Sequence, residues 1–329
     1  MTPYLILFTS FLSAYVGLEL ITSGHRLSTR TTRLILMLPL VVFAVTYAGS
    51  IGTDTDNYGR LYGMAEDFPV EPGFSMLMIG AKSIGLDYVN FTKVLALMQM
   101  MLLASIVIRL RDPLFFLLFY LSSFFLNFQF NAIRNSLALL IFAALYVRMQ
   151  RLGVLALLAS SVIHYSSMIT LGFQRFAISR RPLMAISAIL LIAGIFIIVW
   201  LRPDFAGDYF GDMFVYQGYL LREYEEKSVY PALLLKLAVV WIFFRNGGNR
   251  FYLLTYLILV VLVHLISPIL SRLCDLVLFL ALLDVCTHQR LLRYRLVAIA
   301  LTLILMLSSL LIPWNDCQNG GVDNWCLSR

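Results

Sequence analysis

The feature that most restricts this chain is a succession of apolar blocks, each about 15–20 residues long, the length that crosses a hydrocarbon core about 30 Å thick. They fall near 3–22, 34–50, 92–108, 113–130, 132–147, 183–201, 230–244, 251–269, 273–288 and 296–313. In lipid every backbone polar group must be satisfied within the protein, so unbroken apolar blocks of this length fold as helices. The expected fold is an all-α polytopic integral membrane protein, with about 10 transmembrane helices in a single transmembrane domain over residues 1–329. Composition agrees: 60 % of residues are hydrophobic and 13 % charged, against about one quarter charged in a soluble domain. The first block has no basic leader and no clear small-residue cleavage site, and reads as a retained span.

The net charge of +7 sits in short links between blocks, not in a stripe interleaved with aromatics, so nucleic acid is not an expected partner. Basic links mark the cytoplasmic side. Arg26, Arg30 and Arg33 put the first link inside, and the acid-rich segment 51–91 then becomes an external loop. Arg109, Arg111, Arg148 and Arg151 fall inside in turn. If 152–172 were a full crossing, Arg175, Arg180 and Arg181 would lie outside and every later link would take the wrong sign. A re-entrant or broken helix near 152–176, with His164 at its turn, restores the pattern and makes 202–229 an external loop and 314–329 an external tail. Irregular backbone at that depth must line a protein cavity. Cys317 and Cys326 flank an Asn-Gly-Gly turn in the tail and suit a disulfide in an oxidising compartment. Cys274 and Cys286 lie within spans and read as packing residues.

Ionisable side chains inside a membrane are functional candidates by default. Arg134 opens an apolar span. It lies about sixteen residues before the turn near Gln150, and His164 lies about fourteen after it, so at about 1.5 Å per residue the pair reaches matched depth in antiparallel helices. A guanidinium fork suits phosphate oxygens, and an imidazole exchanges protons near neutral pH. Asp54 and Asp56 form a D-x-D, which suits a metal–diphosphate contact or a turn. Glu71-Pro72-Gly73 opens an apolar stretch over 71–84, too short to span and expected to lie in the outer interface. Glu71 serves there either as a helix cap or in chemistry. The loop 202–229 carries Asp204, Asp208, Tyr209, Tyr216, Tyr219 and Tyr224, suited to sugar rings or to the bilayer interface. Arg272 and Asp275 suit a one-turn ion pair or a second phosphate contact. Asp284 and His288 share a helix face without a third metal ligand. Glu19 and His264 lie within spans with no assignable partner. Nucleotide-binding loops and zinc-protease motifs are missing from the sequence.

These motifs, in this order, resemble the EpsG branch of the Wzy-type polysaccharide polymerases. The resemblance rests on D-x-D-x-Y (Asp54, Asp56, Tyr58), then E-P-G (Glu71, Pro72, Gly73), then I-R-N (Ile133, Arg134, Asn135) where the family usually has I-R-Q. H-Y-S follows (His164, Tyr165, Ser166), resembling the family's H-x-S, and Arg272 resembles a later family arginine. The resemblance implies a GT-C-like glycosyltransferase of the bacterial inner membrane with its active site facing outward. It would polymerise undecaprenyl-diphosphate-linked repeat units, with lipid-linked donor and acceptor as substrates and a chain-length regulator and flippase as partners. On that reading Arg134, with Arg272, stabilises the diphosphate, and His164 is the first candidate base. Asp54, Asp56 or Glu71 would orient the acceptor hydroxyl or replace His164, and Tyr58, Asn135, Tyr165 and Ser166 would contact substrate. No cofactor is implied, and the resemblance leans against a required divalent metal, although the D-x-D leaves that question open. A glycan ligase, a membrane acyltransferase and a flippase or transporter are the competing readings.

Overall fold

The computed structural model describes residues 3–22, 30–52, 54–66, 71–149, 153–164, 229–265, 271–288 and 295–318, with no strand among them. The described helices are α1 (Pro3–Thr22), α2 (Arg30–Tyr47), α3 (Thr55–Gly63), α4 (Pro72–Ser83), α5 (Tyr88–Val107), α6 (Pro113–Tyr120), α7 (Ile133–Met149), α8 (Gly153–Ile163), α9 (Val229–Arg245), α10 (Arg250–Leu265), α11 (Ser271–His288) and α12 (Arg295–Gln318). The chain divides into two compact units, one of residues 1–169 with 282–329 and one of 170–281, the boundary falling inside α11.

In the first unit, α6 is buried on every side, as expected of a helix that is apolar all round. It continues into two short π-helical turns, Leu121–Phe125 and Asn127–Asn131, and the chain then breaks at Ala132 before α7 begins. The core around this rod is aromatic. Phe8 and Phe43 both pack on Phe125, at 5.7 and 5.9 Å between ring centroids, and Phe125 meets Phe130 at 6.1 Å. Helix α2 packs on α5, α5 on α7, and α7 on α8. The opposite face of α2 presents Leu34, Ile35, Leu38 and Val42 outward, an apolar stripe at helical spacing that suits lipid contact. Helices α2 and α5 are long and apolar enough to cross a membrane.

One end of the first unit's helices is tied by buried charge. Arg295 of α12 grips Asp112 with both terminal nitrogens, at 2.7 and 3.1 Å, and pairs with Glu19 of α1. Glu19 is fully buried, so its span position is explained by a partner from the far end of the chain. Arg33 Nη1 donates to the carbonyls of Val107, Ile108 and Leu110, satisfying the orphan acceptors where α5 ends. The Arg111 and Asp112 amides donate to the Cys286 carbonyl at 2.8 and 3.2 Å.

In the second unit, α9 packs on α10. Lys236 Nζ of α9 donates to Asp275 Oδ1 of α11 at 2.5 Å. Among the described residues Asp275 is thus paired with Lys236. The side chains of Arg272 and His264 lie outside the described residues, as do the segment 165–228 with its aromatic loop, and Cys326. Cys274 and Cys286 are buried and free.

Two features of the fold differ from the sequence expectation. Residues 55–63, read as loop, form the helix α3, a short polar segment whose helicity depends on packing against its neighbours. Helix α12 continues to Gln318, so the beginning of the expected tail is helical.

Candidate active site

The site is assembled by three helix ends of the first unit. Pro72 occupies the first position of α4, where its fixed φ and missing N–H are well tolerated. Gly73 comes next, and its role is proximity. A Cβ there would stand 2.7 Å from Val162 Cγ1 and 2.8 Å from the Val162 carbonyl oxygen. Only a residue without a side chain lets the start of α4 lie against the end of α8, and the two helices are packed together there. Gly52, at φ +119°, makes a comparable approach to Phe130 O, 2.5 Å from where its Cβ would lie. It seats the segment leading into α3 against the end of the π-helical turns.

The approach at Gly73 brings Glu71 to His164, the residue that follows α8. The Glu71 side chain makes no capping hydrogen bond to α4, so the cap reading does not describe it. Instead its Oε1 meets His164 Nδ1 and its Oε2 accepts from Arg134 Nη1 at 2.6 Å. The residue is 4 % exposed. Arg134 lies in the first turn of α7, where the helix dipole disfavours a cation; the carboxylate offsets that penalty. The guanidinium also lies 5.7 Å from the centroid of the Tyr58 ring and 6.0 Å from that of Phe74, within the range of cation–π attraction.

Electrostatics follow from this packing. Burial on its own would raise the Glu71 carboxyl, but the hydrogen bond from His164 and the charge of Arg134 outweigh it and hold the group below the ordinary carboxylate range. Burial pushes the Tyr58 phenol up, against the lowering influence of Arg134's charge and hydrogen bond. Glu71 therefore stays ionised, fixed at one oxygen by a permanent cation and at the other by an imidazole.

Of the residues singled out in the sequence, the structure brings together Glu71, Arg134, His164 and Tyr58. Asp54 precedes α3 and is near enough to raise Tyr58 electrostatically. Asp56 faces a separate cleft. Asn135 follows Arg134 on α7, whereas Tyr165 and Ser166 lie outside the described residues. Among the described residues, no group of three or more His, Cys, Asp or Glu side chains is arranged to hold a metal ion. Phe74 and Gln99 were not anticipated. Gln99 Nε2 donates to the Ile133 carbonyl at 3.1 Å and is fully buried, steadying the start of α7 next to Arg134. A lone glutamine within an apolar span was the available signal for it.

A chain with helices and no strand among its described residues, an exposed apolar stripe on α2 and a buried Arg–Glu–His cluster at three helix ends fits a membrane protein with a polar site built into its helices. The chain belongs to the EpsG family, whose model matches residues 31–319, and this places it with membrane proteins of the polysaccharide-polymerase type. No curated protein and no solved structure matches the chain.

Proposed function

We propose that this protein is a glycosyltransferase that polymerises lipid-diphosphate-linked oligosaccharide repeat units on the outer side of the bacterial inner membrane. The observation that carries the reading is the Glu71 carboxylate bridging Arg134 and His164 in a member of this family. The remaining parts of the reading are about ten spans, a GT-C-like arrangement, the broken helix near 152–176 and an external C-terminal tail. Lipid-linked donor and acceptor, with undecaprenyl diphosphate as carrier, are the substrates. A flippase and a chain-length regulator are the working partners, and no cofactor is required.

With Nδ1 engaged by Glu71, the neutral imidazole has its lone pair on Nε2, the geometry a general base needs. The acceptor hydroxyl gives its proton to Nε2 as its oxygen bonds to the anomeric carbon of the donor, and the bond from that carbon to the diphosphate breaks. The electron pair leaves with the diphosphate, whose growing charge is stabilised by Arg134, the guanidinium that also holds Glu71 Oε2. Glu71 is the positioning residue: it orients the imidazole and balances the imidazolium. The largely buried, fixed surroundings strengthen each of these interactions.

The test is glycan chain-length analysis in a deletion strain carrying each variant at normal membrane levels. Arg134→Ala should abolish polymer, and Arg134→Lys should restore little, because a point charge does not reproduce the fork. His164→Gln keeps a hydrogen-bonding group but cannot shuttle a proton, and should slow polymerisation about 10²–10⁴-fold. Full-length glycan from His164→Gln would remove the imidazole as base and make Asp54 or Glu71 the better candidate. Normal polymer from both alanine variants, Arg134→Ala and His164→Ala, would remove the site.

A further inference from the structure

The face of α3 turned away from the Arg–Glu–His cluster borders a second feature. At about 100° per residue, Tyr58 and Tyr62 share one side of α3, while Asp56, Gly59 and Arg60 share the other. Tyr58 lies by Arg134 and Phe74, and Tyr62 stacks on Phe91 at 4.9 Å. Asp56, Gly59 and Arg60, with Gly49, Ser50, Thr55 and Tyr88, line an open, shallow cleft of about 610 Å³.

We infer that this cleft is a glycan-binding subsite, holding neutral sugar units of a repeat unit next to the reacting centre. The inference rests on the polymerase reading and adds a place for the sugars that the Arg–Glu–His cluster does not itself grip.

Four properties of the lining support this. One carboxylate and one guanidinium, a helical turn apart, supply acceptors and donors without a net charge. A phosphate site would carry surplus positive charge, whereas paired donors and acceptors suit vicinal hydroxyls. The Tyr88 ring is held in place: its hydroxyl donates to the Thr55 carbonyl at 2.9 Å, and its edge lies 3.7 Å from where a Cβ on Gly59 would stand. A fixed aromatic wall beside polar groups suits the mixed apolar and hydroxylated faces of a pyranose. The remaining wall, Gly49 and Ser50, is small enough to admit a ring. Finally, the cleft and the catalytic cluster are separated by α3 itself, about one helix diameter or roughly 10–12 Å, so a chain of sugars could reach from one to the other.

The test uses the full-length protein in detergent and single repeat units prepared by partial acid hydrolysis of the producing strain's own surface polysaccharide, with binding followed by saturation-transfer NMR. The wild-type protein should bind these units saturably, and the Asp56→Ala/Arg60→Ala double variant should bind at least tenfold more weakly. Ser83→Ala, at an exposed helix end outside both the cleft and the cluster, should bind as the wild type does. In cells the double variant should make shorter chains, where His164→Gln makes almost none. Absence of binding to the wild type, or equal binding and equal chain length in the double variant, would overturn the subsite while leaving the polymerase reading intact. The polymerase reading fails by a different result: a deletion strain that still makes full-length polymer.

Discussion

Replacing Glu71 by glutamine keeps the side chain's size and removes its charge, so it isolates what the carboxylate contributes. That carboxylate accepts from Arg134 at 2.6 Å and also engages His164. Removing one member of a buried ion pair costs about 3–5 kcal/mol, because the remaining charge is stranded. Arg134 and His164 retain 14 % and 17 % of their side-chain exposure, so some water reaches them and the low end, about 3 kcal/mol, is expected. Arg134→Met strands the carboxylate from the other side and should cost a similar amount. The double variant Glu71→Gln/Arg134→Met strands neither charge, and its loss should fall short of the sum of the two singles by about 1.5–3 kcal/mol, the strength of a charge-assisted hydrogen bond. The assay is equilibrium unfolding of purified protein in mixed micelles titrated with a denaturing detergent, followed by helical ellipticity. If the two losses add to within about 0.3–0.5 kcal/mol, the residues are uncoupled and the reasoning fails.

Gly73→Ala should push α4 off the end of α8, costing about 1–3 kcal/mol and lowering polymer yield although Glu71, Arg134 and His164 are unchanged; thermal melting and chain-length analysis report the two effects. Glu71 has a depressed pKa, so its contribution to stability is whole above its unfolded value of about 4.3 and is lost as pH falls through the folded value. Melting temperature, scanned downward from neutral pH, should therefore decline more below the unfolded value in the wild type than in Glu71→Gln; identical profiles would contradict this. Arg295→Met leaves Glu19 and Asp112 facing each other without a cation and should cost about 3–5 kcal/mol. Adding Glu19→Gln should restore part of that loss in the same unfolding assay.

Helix positions were largely readable from the apolar blocks, because burial and lipid contact both demand unbroken runs of apolar residues. Blocks expected at 113–130, 132–147 and 273–288 correspond to α6 with its π-helical turns, α7 and α11. Helix α3 was not readable, since nine mostly polar residues carry a turn-like composition and fold through their neighbours. The π-helical geometry after Tyr120 left no mark in the residue pattern either. At the site, Arg134 and His164 were legible as ionisable residues in apolar segments on either side of a turn, and the structure brings both to Glu71. The role of Glu71 was not, because its partners lie 63 and 93 residues away in sequence and its place before a proline is equally that of an ordinary cap. The pairing of Asp275 with Lys236 was hidden for the same reason: periodicity reveals neighbours on one helix and says nothing about the facing one.

The contact between Glu19 and Arg295 spans 276 positions of sequence, and this has a consequence for how the protein is made. A chain emerging from its amino end presents Glu19 long before its cation has been synthesised. Until then α1 lacks the partner that holds it in the folded protein. Only when α12 arrives does Arg295 meet both Glu19 and Asp112. The last helix thus fixes the first in place, and a chain truncated before residue 295 lacks the clasp.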